Sequence, residues 1–196
     1  MADVNPREIV VGPLAIYLAA AIEALDSVSA APSGNWALLG TSGAENYTEA
    51  GIVITHSQTL RQTFAVGATG PRKVSRQQEQ LTIGLTLMDL SVAQYTKVLN
   101  GTTKSTDTTP NIDYIGVRRG PDVKIWSLTA WGDKLSPSGP TLDLAYYCPR
   151  CYQSADPALT FSKDAEAALA VVFTALEHTA AATAEERFGR WMVETS

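Results

Sequence analysis

The chain has 196 residues, of which 45% are hydrophobic and 18% charged, and its net charge is −5. This composition is typical of one globular domain and excludes a disordered chain, while the acidic balance disfavours a dedicated nucleic-acid binder, which would carry a basic stripe. No segment reaches the ~18 consecutive apolar residues of a transmembrane helix, so we expect no membrane insertion by this chain. A basic stretch followed by a cleavage site is also missing at the start, so no secretory signal is expected.

The predicted elements begin with a polar N-terminal arm over residues 1–8 and a first strand over 9–18. A loop rich in Pro, Ser and Gly then leads to a short apolar strand over 36–40. These strands open a β domain predicted for residues 9–178. A C-terminal arm or helix is predicted over 179–196.

A long β-hairpin is predicted over residues 51–88, with a Gly/Pro turn between its two arms. Each arm is far longer than the about 5–6 residues of an ordinary strand. Polar and apolar side chains alternate along both arms, which predicts two distinct faces. The polar face consists of Thr55, Ser57, Thr59, Arg61, Thr63, Thr82 and Thr86. The apolar face consists of Ile54, Leu60, Leu81, Ile83 and Leu85. Because a small domain can hardly cover strands of this length, the hairpin indicates assembly rather than catalysis.

A short amphipathic helix is predicted over 91–99, with Ser91 capping its start and Asn100-Gly101 ending it. Asp89 is expected to interact with the start of this helix rather than to act as a catalytic carboxylate. A loop rich in Thr, Ser and Asp is predicted over 101–113. Further strands are predicted over 114–118, 123–131, 141–148 and 167–176.

Several local sequences occur in a characteristic order along the chain. They are Ala15-Ile16-Tyr17-Leu18, Trp36-Ala37-Leu38-Leu39-Gly40-Thr41-Ser42, Gly51-Ile52-Val53-Ile54-Thr55-His56, Leu81-Thr82-Ile83-Gly84-Leu85-Thr86-Leu87-Met88-Asp89, Val98-Leu99-Asn100-Gly101 and Phe161-Ser162-Lys163-Asp164-Ala165-Glu166-Ala167. Together with the order of the predicted elements, they resemble the major tail tube proteins of long-tailed bacteriophages. The resemblance covers roughly residues 9–178 and depends on element order rather than on an invariant signature.

The resemblance implies a β-sandwich or open β-barrel with one flanking helix, whose copies form hexameric rings. It implies that the long hairpins join around the ring into one inner barrel and that the rings stack into a tube. The polar face of the hairpin would then line the lumen, and the apolar face would pack on the subunit body. Lumens of this family tend to be neutral or acidic, so Arg61 departs from the family pattern.

The tube of this family conducts double-stranded DNA into the host, and the resemblance implies that the DNA passes without specific binding. The implied partners are other copies of the chain, the tape-measure protein, the tail tip or baseplate, and the tail terminator. The implied location is the virion, after synthesis in the host cytoplasm. The fold is also similar to the tube proteins of type VI secretion systems.

Charged and aromatic residues outside the two hairpin faces are candidates for contacts between copies. Arg72 and Lys73 lie near the turn without the interleaved aromatic residues that a nucleic-acid site would show. Salt bridges from them to acidic residues of a neighbouring copy, such as Asp107 and Asp113, are therefore favoured. Trp191, in the C-terminal arm, is the candidate aromatic anchor between copies.

Cys148-Pro149-Arg150-Cys151 has the spacing of a thioredoxin-type redox pair or of half a zinc site. The pair follows a predicted strand, and His56 and His178 are the only histidines, so a structural role is favoured. No Gly-x-Ser-x-Gly nucleophile motif occurs. We therefore expect no enzymatic activity, catalytic residue, cofactor or metal. Three alternatives stay open, namely a single-ring tail terminator or connector, a type VI-like secretion tube protein, and a cysteine-based redox or metal-binding domain.

Overall fold

The computed structural model describes residues 12–67, 69–99, 102–118, 120–139, 141–159, 163 and 167–195. The protein is mainly β, with 45% of the chain in strands and 8% helical, and its sheets are antiparallel. The expected mainly β fold with one α-helix is therefore confirmed. The predicted N-terminal arm at 1–8, the helix end at Asn100-Gly101 and most of the 161–167 motif lie outside the described residues.

The described residues contain ten strands and one α-helix. Strands β1 to β10 span Ala15–Ala20, Ala37–Leu38, Val53–Phe64, Pro71–Leu87, Lys104–Thr108, Asn111–Ile115, Trp126–Gly132, Leu144–Gln153, Leu169–Ala175 and Arg190–Val193. Helix α1 spans Val92–Val98, and short 3-10 turns span Gly43–Asn46 and Ala184–Glu186.

Eight of the strands form one antiparallel sheet in the order β2-β1-β7-β8-β9-β4-β3, with β10 beside β8. Strand β8 has two partners on the side away from β7, because residues 144–147 pair with β10 and residues 151–153 pair with β9. Across the described residues this sheet is not closed. Strands β2 and β3 are its two ends, so β3 is an edge strand along its whole length.

The hydrophobic core lies against the middle of this sheet. Strand β4 enters the core only in its second half, where every other side chain is buried. These side chains are Leu81, Ile83, Leu85 and Leu87, and they meet Phe173, Val171 and Leu169 of the paired strand β9 in the same core cluster. This alternation is that of a strand with one face on the core. The core therefore fixes one end of the long hairpin.

Helix α1 is joined to the sheet by polar contacts near its start. Asp89 accepts hydrogen bonds from the backbone N–H groups of Thr41 and Ser91, at 2.7 and 2.9 Å. The expected role of Asp89 at the start of the helix is thus confirmed, whereas Ser91 makes no side-chain capping bond. Buried Gln94 accepts a hydrogen bond from the backbone N–H of Gly40 at 3.1 Å. These bonds hold the helix against the segment that follows β2.

One prediction about local structure is wrong. The loop expected over 101–113 contains β5 and continues into β6, and these strands form a second, two-stranded sheet. The polar composition suggested a loop, but Thr, Ile and Tyr favour strands and outweigh it here. The segment 179–196, expected to be an arm or a helix, contains a 3-10 turn and β10 in its described residues. Pairing of β10 with β8 overrides the helical propensity of its residues.

Candidate assembly interface

The β3–β4 hairpin contains the longest exposed segment among the described residues. Every described residue from 55 to 80 is exposed, on both faces of the two strands. The exposed part of β3, residues 55–64, extends about 30 Å at the ~3.3 Å rise of a strand residue. A two-stranded ribbon with neither face covered is marginally stable in water. The distal hairpin therefore needs a further surface to be held in place.

The pairing register divides the hairpin into two faces. Directly paired residues share a face, and Ile54 pairs with Ile83 while Thr55 pairs with Thr82. The register shifts between Thr59 and Leu60, where β4 carries one extra residue, Gln77. Because the extra residue is in β4, the alternation along β3 continues unbroken through this shift. A second shift follows between Thr63 and Phe64, where Arg72 is the extra residue.

The polar face proposed from the sequence lies on one side of the hairpin. Thr55, Ser57, Thr59, Arg61 and Thr63 follow one another on β3 at alternate positions. Thr82 and Thr86 lie on the same side of β4, opposite the buried residues. The register adds Lys73, Ser75, Gln78 and Gln80 to this face. Simple alternation along β4 would place Lys73 on the opposite face. The extra residue Gln77 shifts Lys73 to the polar face.

The opposite face changes character along the hairpin. Near the core, Leu81, Ile83 and Leu85 are buried, and Ile54 packs against the core. Further out, Leu60 is 48% exposed, so the expectation that it packs on the body of its own subunit is wrong. The core ends before Leu60, at the pair His56 and Leu81.

Beyond the core, this second face carries an exposed apolar stripe. Leu60, Phe64 and Val74 are each about half exposed, at 48, 59 and 52%. The charges beside the stripe neutralise each other, because Arg76 lies 3.2 Å from Glu79 and donates a hydrogen bond to Gln58 at 2.9 Å. An uncovered apolar stripe of this kind is typical of a surface that another protein covers.

Both outer edges of the hairpin are unpaired among the described residues. Strand β3 pairs only with β4, so its other edge is free over Val53–Phe64 in the described part of the chain. Strand β4 pairs with β9 only at residues 82–87, which leaves residues 71–81 free on that side of the described structure. Each free edge presents a row of unpaired backbone N–H and C=O groups. The two edges have similar lengths and run in opposite directions.

The β5–β6 hairpin is a second exposed feature, and the sequence pattern did not predict it. Its strands pair with each other and with none of the other described strands. One face holds Ile112 and Tyr114, which are about half exposed. Asp113 lies on the other face and pairs with Lys104 of the same hairpin at 2.8 Å. Asp113 thus already has a partner within the chain, and its contact with a neighbouring copy stays a prediction, as does that of the exposed Asp107.

Hydrogen bonding and aromatic packing fix the base of the long hairpin. The Tyr146 hydroxyl lies 2.8 Å from His56 Nε2, and its ring lies against Trp191 of β10 at 6.0 Å between centroids. Burial raises the pKa of Tyr146 to about 12, so its hydroxyl keeps its proton. Trp191 remains 52% exposed beside this contact and is available to a neighbouring molecule.

The cysteine pair lies within the core rather than at an accessible site. Cys148 and Cys151 are both free thiols and fully buried in β8. Hydrogen bonding to Cys148 and burial raise the pKa of Cys151 well above its ordinary value. A reactive thiol needs the opposite shift and an exposed position. Within the described residues, no group of three or more His, Cys, Asp or Glu side chains is arranged to hold a metal ion.

No helix in the described part of the chain combines the length and the apolar character needed to cross a membrane.

Comparison with models of protein families gives no match, and comparison with curated proteins gives none either. The function therefore rests on the geometry of the two hairpins.

Proposed function

We propose that the chain is a structural, non-enzymatic subunit that assembles into rings through its long hairpin, and that the rings stack into a phage tail tube. The tube encloses a lumen through which double-stranded DNA passes to the host. The rings are hexameric by resemblance to the tail tube family. Their partners in the virion are the tape-measure protein, the tail tip or baseplate and the tail terminator.

The observation that carries the proposal is the pair of free edges on the long hairpin. Strands β3 and β4 run in opposite directions, so β3 of one copy can pair with β4 of the next copy in an antiparallel manner. The free lengths match, with residues 53–64 on β3 and 71–81 on β4. Each copy thus offers two different edges, which is a heterologous contact, and heterologous contacts form a ring when the rotation closes. Closure removes both free edges at once.

The two faces of the hairpin support the same arrangement. In a closed barrel, side chains alternate between the interior and the exterior. The face with Thr, Ser and Gln side chains suits a water-filled interior, whereas the stripe of Leu60, Phe64 and Val74 suits the exterior, against the bodies of neighbouring copies. In this arrangement the hairpins of several copies together form the closed barrel, and a single copy does not form it alone.

The β5–β6 hairpin favours a stacked tube over a single-ring terminator or connector. Its apolar residues Ile112 and Tyr114 are exposed and separate from the long hairpin. A subunit that contacts neighbours within its ring and in the next ring needs two independent surfaces. The long hairpin supplies the first surface, and the β5–β6 hairpin supplies the second.

Shortening the long hairpin tests the proposal. Residues 60–77 are removed, and Thr59 is joined to Gln78 through Asn-Gly, a sequence that favours two-residue hairpin turns. Thr59 and Gln78 form the last pair before the register shift, so the remaining pairs keep their register. We expect the shortened protein to fold, because every described residue among those removed is exposed, and to remain monomeric. Wild-type protein should form rings or tubes in negative-stain micrographs and in sedimentation experiments.

The control is Lys134→Gln in the full-length protein, which changes an exposed loop residue and keeps both edges of the hairpin. This variant should assemble as the wild type does. Assembly of the shortened protein into the same rings would contradict the proposal. A wild-type protein that stays monomeric at high concentration, also with tail tip components present, would contradict it as well.

A further inference from the structure

The polar face of the long hairpin carries two cations that have no partner among the described residues. Arg61 pairs in register with Ser75, and Thr63 pairs with Lys73, so Arg61 and Lys73 are diagonal neighbours on this face. Diagonal neighbours of an antiparallel pair lie roughly 7–8 Å apart. Both side chains are exposed, and neither forms an ion pair or side-chain hydrogen bond with the described residues.

The polar face of the two described strands has no carboxylate to neutralise these cations. Strands β3 and β4 contain a single acidic residue, Glu79, which lies on the opposite face and pairs there with Arg76. The cation of the apolar face is thus neutralised, whereas the cations of the polar face are not. This asymmetry contrasts with the net charge of −5 of the whole chain.

We propose that Arg61 and Lys73 form a ring of positive charge inside the assembled tube, which holds the phosphate backbone of duplex DNA weakly and without regard to sequence. This inference rests on the proposed function, since only ring closure brings the cations of all copies together around one lumen. Each ring of copies adds one such band, so stacking repeats it along the tube.

The chemistry around the cations favours a phosphate backbone as the occupant. Duplex DNA carries one negative charge per ~1.7 Å of its axis, so a band of cations meets phosphates at any position of the duplex. The neighbouring side chains are Thr63, Ser75, Gln78 and Thr59, which are uncharged and contain no aromatic group for stacking on bases. A few contacts of this kind bind DNA non-specifically and let it slide.

Binding of a short fluorescent duplex to assembled tubes tests the inference by fluorescence anisotropy over a range of salt concentrations. We expect Arg61→Gln/Lys73→Gln to weaken binding about tenfold or more and to lower the slope of log affinity against log salt, by ~0.9 for each phosphate that the variant no longer neutralises. The control Lys134→Gln removes one cation from an exposed loop outside the long hairpin and should bind like the wild type. Equal binding by the double variant would overturn the inference.

Two further measurements use the wild-type protein. A duplex blocked with streptavidin at both ends cannot enter a tube, so it should not bind, and undiminished binding would overturn the interior location. DNA should also protect Lys73 from acylation in the tubes, measured by mass spectrometry, while the exposed loop residue Lys134 stays reactive. Equal acylation of Lys73 with and without DNA would overturn the inference even if the double variant fails to assemble.

The remaining outcomes separate the two proposals. Tighter binding of poly-glutamate than of DNA would overturn the assignment to phosphate and point to an acidic polypeptide. Micrographs recorded before DNA is added report assembly alone, so a lack of rings there contradicts the proposed function. Intact tubes that fail to bind the duplex contradict only the charge ring.

Discussion

Ile83 and Leu60 lie on the same face of the long hairpin but have opposite surroundings. Ile83 is 1% exposed in the core, whereas Leu60 is 48% exposed beyond it. We expect Ile83→Ala to lower the free energy of unfolding by about 2–5 kcal/mol, because it leaves a cavity in a close-packed core. Leu60→Ala should change it by less than about 0.5 kcal/mol, as is usual at the surface. Denaturant unfolding of the monomer measures both effects.

Leu60→Ala also distinguishes an effect on assembly from an effect on folding. Leu60→Ala should raise the protein concentration needed for rings, since it removes part of the apolar stripe that a neighbouring copy covers. Sedimentation at several concentrations measures this change. An unaltered assembly threshold for Leu60→Ala would contradict the role of the stripe.

Asp89 gives a prediction for pH dependence. Burial alone would raise the pKa of Asp89. Hydrogen bonds from Thr41 and Ser91 lower the pKa by more than burial raises it, so the pKa falls from its ordinary value of 3.8 to about 2. Because the folded protein favours the ionised carboxylate, Asp89 contributes its full stabilisation of the folded state above pH 3.8. This contribution is lost as the pH falls towards 2. Asp89→Ala should therefore lower stability by about 1 kcal/mol at pH 7, discounted for the exposure of the group. The difference from the wild type should narrow near pH 2, and a difference independent of pH would contradict the assignment.

The β5–β6 hairpin has a role of its own at the scale of elements. Ile112→Lys/Tyr114→Lys adds charge to its exposed apolar face without touching the long hairpin. We expect this variant to form single rings that do not stack, because a charged side chain loses its hydration when it is buried in the proposed contact between rings. Electron micrographs distinguish rings from tubes. As the control, Lys104→Gln changes the opposite face and should leave stacking intact. Full-length tubes from the double variant would exclude this hairpin from stacking.

Sequence alone predicted the elements whose side chains follow a clear period. The period of two over 51–88 indicated the long hairpin, and the apolar spacing over 91–99 indicated α1. The polar face was also predicted, because alternation along β3 is unbroken.

The rest depends on contacts between distant parts of the chain. The face of Lys73 follows from the extra residue Gln77, and no local signal in the sequence marks which strand takes an extra residue. The exposure of Leu60 depends on where the core ends, which the packing of β9 on β4 decides. The sequence did not predict the β5–β6 hairpin because its polar composition resembles that of a loop. Two features were compatible with a hairpin, namely the Thr-Pro turn between the strands and the alternation of Ile112 and Tyr114 with polar residues after that turn.

At the scale of the whole molecule, the β-sheet of a single chain lacks a partner at the long hairpin. The sheet is open at β3, the distal hairpin is uncovered, and both of its edges lack partners among the described residues. These three features are removed together when the edge of β3 in one copy pairs with the edge of β4 in the next. The central claim therefore concerns backbone hydrogen bonds between copies.

Hydrogen–deuterium exchange of backbone amides tests that claim most directly. In the monomer, the outward-facing amides of residues 53–64 and 71–81 lack partners among the described residues and should exchange fast. In assembled rings, the same amides should become protected along both edges, whereas the amides of the core strand β9 are already protected in the monomer. Protection confined to one edge, or exchange along both edges as fast as in the monomer, would contradict the pairing of β3 with β4 of the next copy.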